Sequence, residues 1–184
     1  AGLPVAEDTF GHEMFVQMGV VAPATFVAVL ILAFLLFRTG VFLLPLALTA
    51  MFSVMWTMGF LIGSGNTVHI MSSMIPVFLM PIAILDAVHI LSEFFDKYRE
   101  KGDVRIALTE AMEPLHRPMF MTSLTSSVGF ASLALADIPP VRVFGIFVAF
   151  GIVAAWILSI TLVPAAIALT SEDRLRKAIL AKAN

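Results

Sequence analysis

Long apolar runs separated by short polar breaks dominate the chain, and the length of the runs decides how they fold. At 1.5 Å per residue, a helix needs about 20 mainly apolar residues to cross a hydrocarbon core of about 30 Å. Five stretches meet that condition: 16–37, 41–62, 68–95, 119–136 and 143–169. The first ends at Arg38-Thr39-Gly40 and the second in the turn Gly63-Ser64-Gly65-Asn66. Each is too long for a barrel strand and none alternates with period two, so each is predicted as a helix. The links after the first and fourth runs are only a few residues long, which predicts helical hairpins. The longest polar segment is 96–118. Within it Val104, Leu108, Ala111, Met112 and Leu115 recur at helical spacing, with Asp103, Glu110 and Glu113 off the stripe. That pattern predicts a short amphipathic helix, either lying on the membrane surface or solvated with an ordinary apolar face. The expected fold class is therefore an all-α membrane protein. It is a five-helix transmembrane bundle over 16–170, with a short cytoplasmic amphipathic helix in 96–118 and a cytoplasmic tail over 171–184.

Composition supports lipid as the solvent. Hydrophobic residues make up 60% of the 184 and charged residues only 13%, about half the usual share for a soluble domain. A water-soluble domain of this size has too little interior to hide so much apolar side chain. No basic block suggests nucleic acid as a partner. There are no cysteines, which excludes disulfides and thiolate metal sites. At Ala1 no basic segment followed by an apolar one is visible, so no signal peptide is expected, and the chain reads as a piece of a longer protein.

Charge then orients the bundle. Five spans place the ends on opposite sides. Arg38, Lys97, Arg99, Lys101, Arg105, Arg117, Arg174, Arg176, Lys177 and Lys182 fall on one side, and only Arg142 on the other. The positive-inside rule makes the first side cytoplasmic, in a cell inner membrane. The N-terminal segment, with Glu7, Asp8 and Glu13, is then outside.

An ionisable residue deep in a span is costly and marks function by default. Asp86 lies about ten residues before the boundary near Asp96, roughly 15 Å in, close to mid-membrane. His89 follows at i+3, on the same face. A carboxyl and an imidazole one turn apart can relay protons; the alternative is a structural hydrogen bond or ion pair to another helix. Pro76 and Pro81 on the same span remove backbone donors, freeing carbonyls near the site or simply kinking the helix. On the fourth span Thr122, Ser123, Thr125, Ser126 and Ser127 form a polar run, with Thr122, Thr125, Ser126 and Gly129 on one face. Its hydroxyls can serve Asp86 or water beside it, or provide close small-residue packing. Thr49, Ser53 and Thr57 step by four along the second span and are expected to face the bundle. Gly145 with Ala149, and Gly151 with Ala155, give the small-xxx-small spacing of tight helix contacts. Asp137 and Arg142 lie near the outer end, where they pair or face water. His12, His69 and His116 have no metal-ligand spacing, and no phosphate loop, nucleophile elbow or zinc motif is present. Neither a cofactor, a metal nor an enzymatic activity is expected.

Asp86-Ala87-Val88-His89 and the following Ile90-Leu91-Ser92 resemble a signature of the resistance-nodulation-division (RND) superfamily, nearest its MMPL-like, hydrophobe/amphiphile exporter branch. The likeness continues in the run from His116 to Thr125, in Gly129-Phe130, in Ile138-Pro139-Pro140 and in Phe144-Gly145. Gly2-Leu3-Pro4-Val5 looks like the end of that family's extracytoplasmic porter domain, so residues 1–15 are expected to be its end or a linker. The resemblance implies spans two to six of a twelve-span transporter, a unit called a sterol-sensing domain in eukaryotic relatives. It implies export of lipids or hydrophobic compounds driven by protons. The key acid maps onto Asp86, although relatives often carry an acid at the position of Leu85. The implied partners are membrane lipids, protons, a hydrophobic substrate, and the remaining transporter half or a second copy. A sterol- or hopanoid-sensing module that moves nothing is the second reading, and a protein-translocation accessory of the same superfamily, which the Asp-Ala-Val-His run fits poorly, is a third.

Overall fold

The computed structural model describes residues 11–171 and Leu175. The resemblance at Gly2–Val5, the acidic Glu7 and Asp8, and most of the basic tail lie outside them. Within them the structure is all-helical, with five helices long and apolar enough to cross a membrane. Helix α1 spans Gly11–Phe37, α2 Leu43–Gly63, α3 Ile75–Lys101, α4 Val104–Ala131 and α5 Pro139–Leu169.

The five predicted spans are present, with different ends. Residues 11–15, expected as linker, already belong to α1, which contains a π-helical turn at Gln17–Val21. Residues 66–69 carry no regular structure, and a short 3-10 turn at Ser72–Met74 leads into α3. Its helix runs past residue 95 to Lys101, because a helix need not stop where the lipid does. Gly102, at φ 72°, then caps it in the left-handed conformation that glycine adopts without a Cβ penalty. Asp103 opens α4 by accepting from the backbone N–H groups of Arg105 and Ile106.

The predicted separate amphipathic helix is corrected. Segment 104–118 is instead the first half of α4, which continues unbroken through Pro114 and Pro118 into the fourth span. Proline is tolerated in spans where neighbouring helices and side chains satisfy the freed groups. The predicted stripe is real but faces protein. Ala111 is fully buried, as is Ala107, while Val104, Leu108, Met112 and Leu115 pack against the same core. Leu175, from the segment read as tail, is also buried there.

Helix α5 is the centre of the bundle, packing on α2, α3 and α4, and α1 packs chiefly on α3. At one end of the bundle Phe37, Phe42, Phe94, Phe95 and Tyr98 stack into the core. At the other end Phe78, Phe130 and Phe144 meet edge to face. Two glycines set the helix spacing on α5. A Cβ at Gly145 would meet the Leu133 Cβ and lie 2.6 Å from the Phe130 carbonyl, and one at Gly151 would lie 2.7 Å from Thr57 Oγ1. Both small-residue pairs read from the sequence thus sit in close helix contacts. The outward faces are apolar: Ile31, Leu32 and Leu35 on α1, Met55 and Trp56 on α2, and Met121 and Val128 on α4 are exposed. Water would penalise such a belt, whereas lipid does not.

Candidate functional site

Asp86 sits inside α3, eleven residues after Ile75 and fifteen before Lys101, or about 16 Å and 22 Å along the helix. It is 9% exposed. Its Oδ2 is buried with no hydrogen-bond partner among the described residues, although buried polar atoms are nearly always paired. The surroundings explain the isolation. Helix α2 holds no ionisable side chain, and α5 holds only Arg142 near its start.

A small crevice of about 170 Å³ opens between α3 and α4 at this level. Leu85, Asp86 and His89 line it from α3, and Leu115, Pro118, Met119 and Thr122 from α4. The carboxyl and the imidazole predicted as partners therefore share one crevice, and His89 is exposed beside the buried acid. Leu85, where relatives often carry an acid, is 56% exposed and lines the same crevice.

Of the fourth-span hydroxyls, Thr122 alone lines this crevice. Its Oγ1 donates 2.9 Å to the Pro118 carbonyl of its own helix, an ordinary back-bond of a helical threonine. Thr125 is exposed and donates to the Met121 carbonyl. Ser123 is buried and Ser126 half-buried. Ser127 faces elsewhere, donating 3.0 Å to the Ala149 carbonyl of α5. No hydroxyl among the described residues hydrogen-bonds Asp86.

The prolines divide similarly. Pro76 stands at the start of α3, and Pro81 is internal. A proline frees the carbonyl four residues earlier, here Val77, more than two turns from Asp86. It therefore does not feed the site. Thr49, Ser53 and Thr57 are buried, and each donates to a carbonyl of its own helix, Pro45, Ala50 and Ser53 respectively. Arg142 donates to the Ala136 carbonyl and closes the turn before α5. No group of metal-ligating side chains forms among the described residues.

Two polar features were not legible beforehand. Ser159 in the apolar α5 is buried and donates 3.4 Å to the Ala83 carbonyl one turn from Asp86, whereas the nearby Thr161 bonds its own helix at Ile157 and Leu158. A hydroxyl pair, Ser159 and Thr161, in an otherwise apolar run was the available signal. At the other end of the bundle Ser73 donates 2.7 Å to Gln17 Oε1 in the π-helical turn of α1. Beside that turn a cavity of about 260 Å³ opens between α1, α2 and α3, lined by apolar residues including Met18, Phe26, Met51 and Met80.

No significant match was found among curated proteins or solved structures. A family model described as the sterol-sensing domain of SREBP cleavage-activation matches residues 35–183, most of the chain. A multi-helix membrane bundle with a lipid-facing surface agrees with that match, and the chain belongs to the sterol-sensing domain family.

Proposed function

We propose that this bundle is the membrane part of a proton-driven exporter of lipids or other hydrophobic compounds, of the RND superfamily and nearest its MMPL-like branch. The observation that carries the reading is Asp86: a carboxyl inside a span, with one oxygen sealed and unpaired, opening on a crevice it shares with His89. In a low dielectric an unpaired carboxylate is strongly penalised. Whether Asp86 holds a proton therefore changes how well α3 packs against its neighbours, which is what a transport cycle needs from a coupling group. His89, the exposed member, hands protons between the crevice and Asp86. Thr122 lines the route, with Ser123, Thr125 and Ser126 further along the same helix.

Partner chemistry follows from the same face. His89, Thr122 and Thr125 are exposed on α3 and α4, and polar groups do not face lipid cheaply. Another protein surface, the remaining transporter half or a second copy, covers them. The positive-inside bias places the Lys101–Asp103 end in the cytoplasm. Asp86→Asn in the full protein, inserted at normal levels, is expected to abolish export; undiminished export would refute the coupling role.

A lipid-sensing module is the second reading, favoured by the apolar cavity beside the Gln17–Ser73 bond and by the family itself. It predicts that lipid binding survives Asp86→Asn and that the wild-type protein carries no proton flux.

A further inference from the structure

Among the described residues three buried side-chain atoms lack a hydrogen-bond partner: Ser72 Oγ, Asp86 Oδ2 and Trp156 Nε1. The last two are complementary, since an indole N–H only donates and a carboxylate only accepts. They stand on α5 and α3, and both adjoin one turn of α4. Asp86 shares its crevice with Met119, and the Trp156 ring lies 5.3 Å from that of Phe120. The three helices pack on one another. The core there is built of small residues, Ala83, Ala87 and Ala155, all fully buried, so α3 and α5 approach closely. Ser159, one turn along α5 from Trp156, already bonds the Ala83 carbonyl one turn from Asp86.

We infer that Trp156 is the positioning residue for the ionised state of Asp86. When the carboxyl releases its proton to the crevice, only the O–H bond breaks, and Oδ2 then needs a donor. The Trp156 N–H is the unspent buried donor on the adjoining helix, and bonding to Oδ2 draws α5 against α3. Reprotonation releases it. This rests on the coupling role proposed for Asp86 and adds the group that turns its charge into a helix movement.

Other groups facing Asp86 leave that place open. On its own helix the neighbour is His89. On α4 Thr122 donates to Pro118, while His116 and Arg117 flank the crevice residues but are exposed. Helix α5 has no ionisable group beyond Arg142, α2 has none, and α1 has none between Gln17 and Phe37.

The chain has two tryptophans, so Trp56→Phe in the full protein leaves Trp156 as the reporter within this bundle; tryptophans outside the bundle are likewise replaced by phenylalanine. In liposomes, Trp156 emission titrated between about pH 4 and pH 9 is expected to shift in a single step that disappears in Asp86→Asn. A flat titration, or one unchanged by Asp86→Asn, would overturn the inference. The second arm is Trp156→Phe, followed by the infrared carboxyl band lost in Asp86→Asn. The expected result is a roughly tenfold change in proton affinity, the size set by a hydrogen bond to a charged group; an unchanged midpoint overturns the inference. Export undiminished in Asp86→Asn with emission still tracking Asp86 would sink the transport reading alone.

Discussion

Gly145 shows at the scale of one residue how tightly two spans meet, because a side chain there would run into the Phe130 carbonyl, which belongs to a rigid backbone. Gly145→Val is expected to destabilise the bundle by roughly 1–3 kcal/mol, measured by unfolding in mixed detergent. Gly129→Ala, where a Cβ meets nothing within 4 Å, is expected to leave stability unchanged or slightly raised. Equal losses at both positions would contradict the packing described. Residue identity made much of this legible. A lone Asp in an apolar run is visible from cost alone, and its i+3 relation to His89 fixes a shared face without any structure. The roles of the hydroxyls were less legible. Spacing put Thr122, Thr125 and Ser126 on one side of α4, but spacing does not say which of them reaches a neighbouring helix. The helix–helix crossing decides that: Thr122 lines the crevice beside Asp86, and the hydroxyl that bonds a neighbouring helix is Ser127. Trp156 carried no sequence signal at all, since an aromatic in an apolar span is ordinary.

At the scale of elements, the existence of all five helices followed from run length, while their ends did not. Hydropathy marks where lipid stops, and α3 and α4 continue beyond it as solvated or protein-packed helix. Local chemistry marks the true ends: Gly102 at positive φ closes α3, and the Asp103 carboxylate caps α4 with bonds of 2.8 and 2.9 Å. Asp103→Ala is expected to cost about 1 kcal/mol, with Asp103→Asn close to neutral, again by detergent unfolding. Equal effects of the two variants would argue against a capping role. The neighbouring ion pair of Lys101 with Glu110, at 3.3 Å and well exposed on both sides, is expected to contribute little by comparison. The amphipathic stripe of 104–118 left two readings open. A helix that buries its apolar side against protein has the same periodicity as one that lays it on a membrane, so the pattern could not choose between them.

For the whole molecule, the absence of cysteine from these 184 residues lets topology be measured by introducing single cysteines, with any cysteine outside the bundle replaced by serine. Cysteine at Asn66 or Asp137 is expected to react with a membrane-impermeant maleimide from outside intact cells. Cysteine at Gly102 is expected to react only after permeabilisation. The reverse pattern would invert the charge-based orientation and with it the direction of proton entry. The proposed transport turns on the charge of Asp86 being switched from within the bundle. Its most direct test is proton flux into liposomes carrying the full protein, loaded with a pH-sensitive dye and driven by an imposed pH gradient. The wild type is expected to acidify the lumen, and Asp86→Asn, present in equal amount, to fall to the rate of empty liposomes. Equal flux through both would contradict the account.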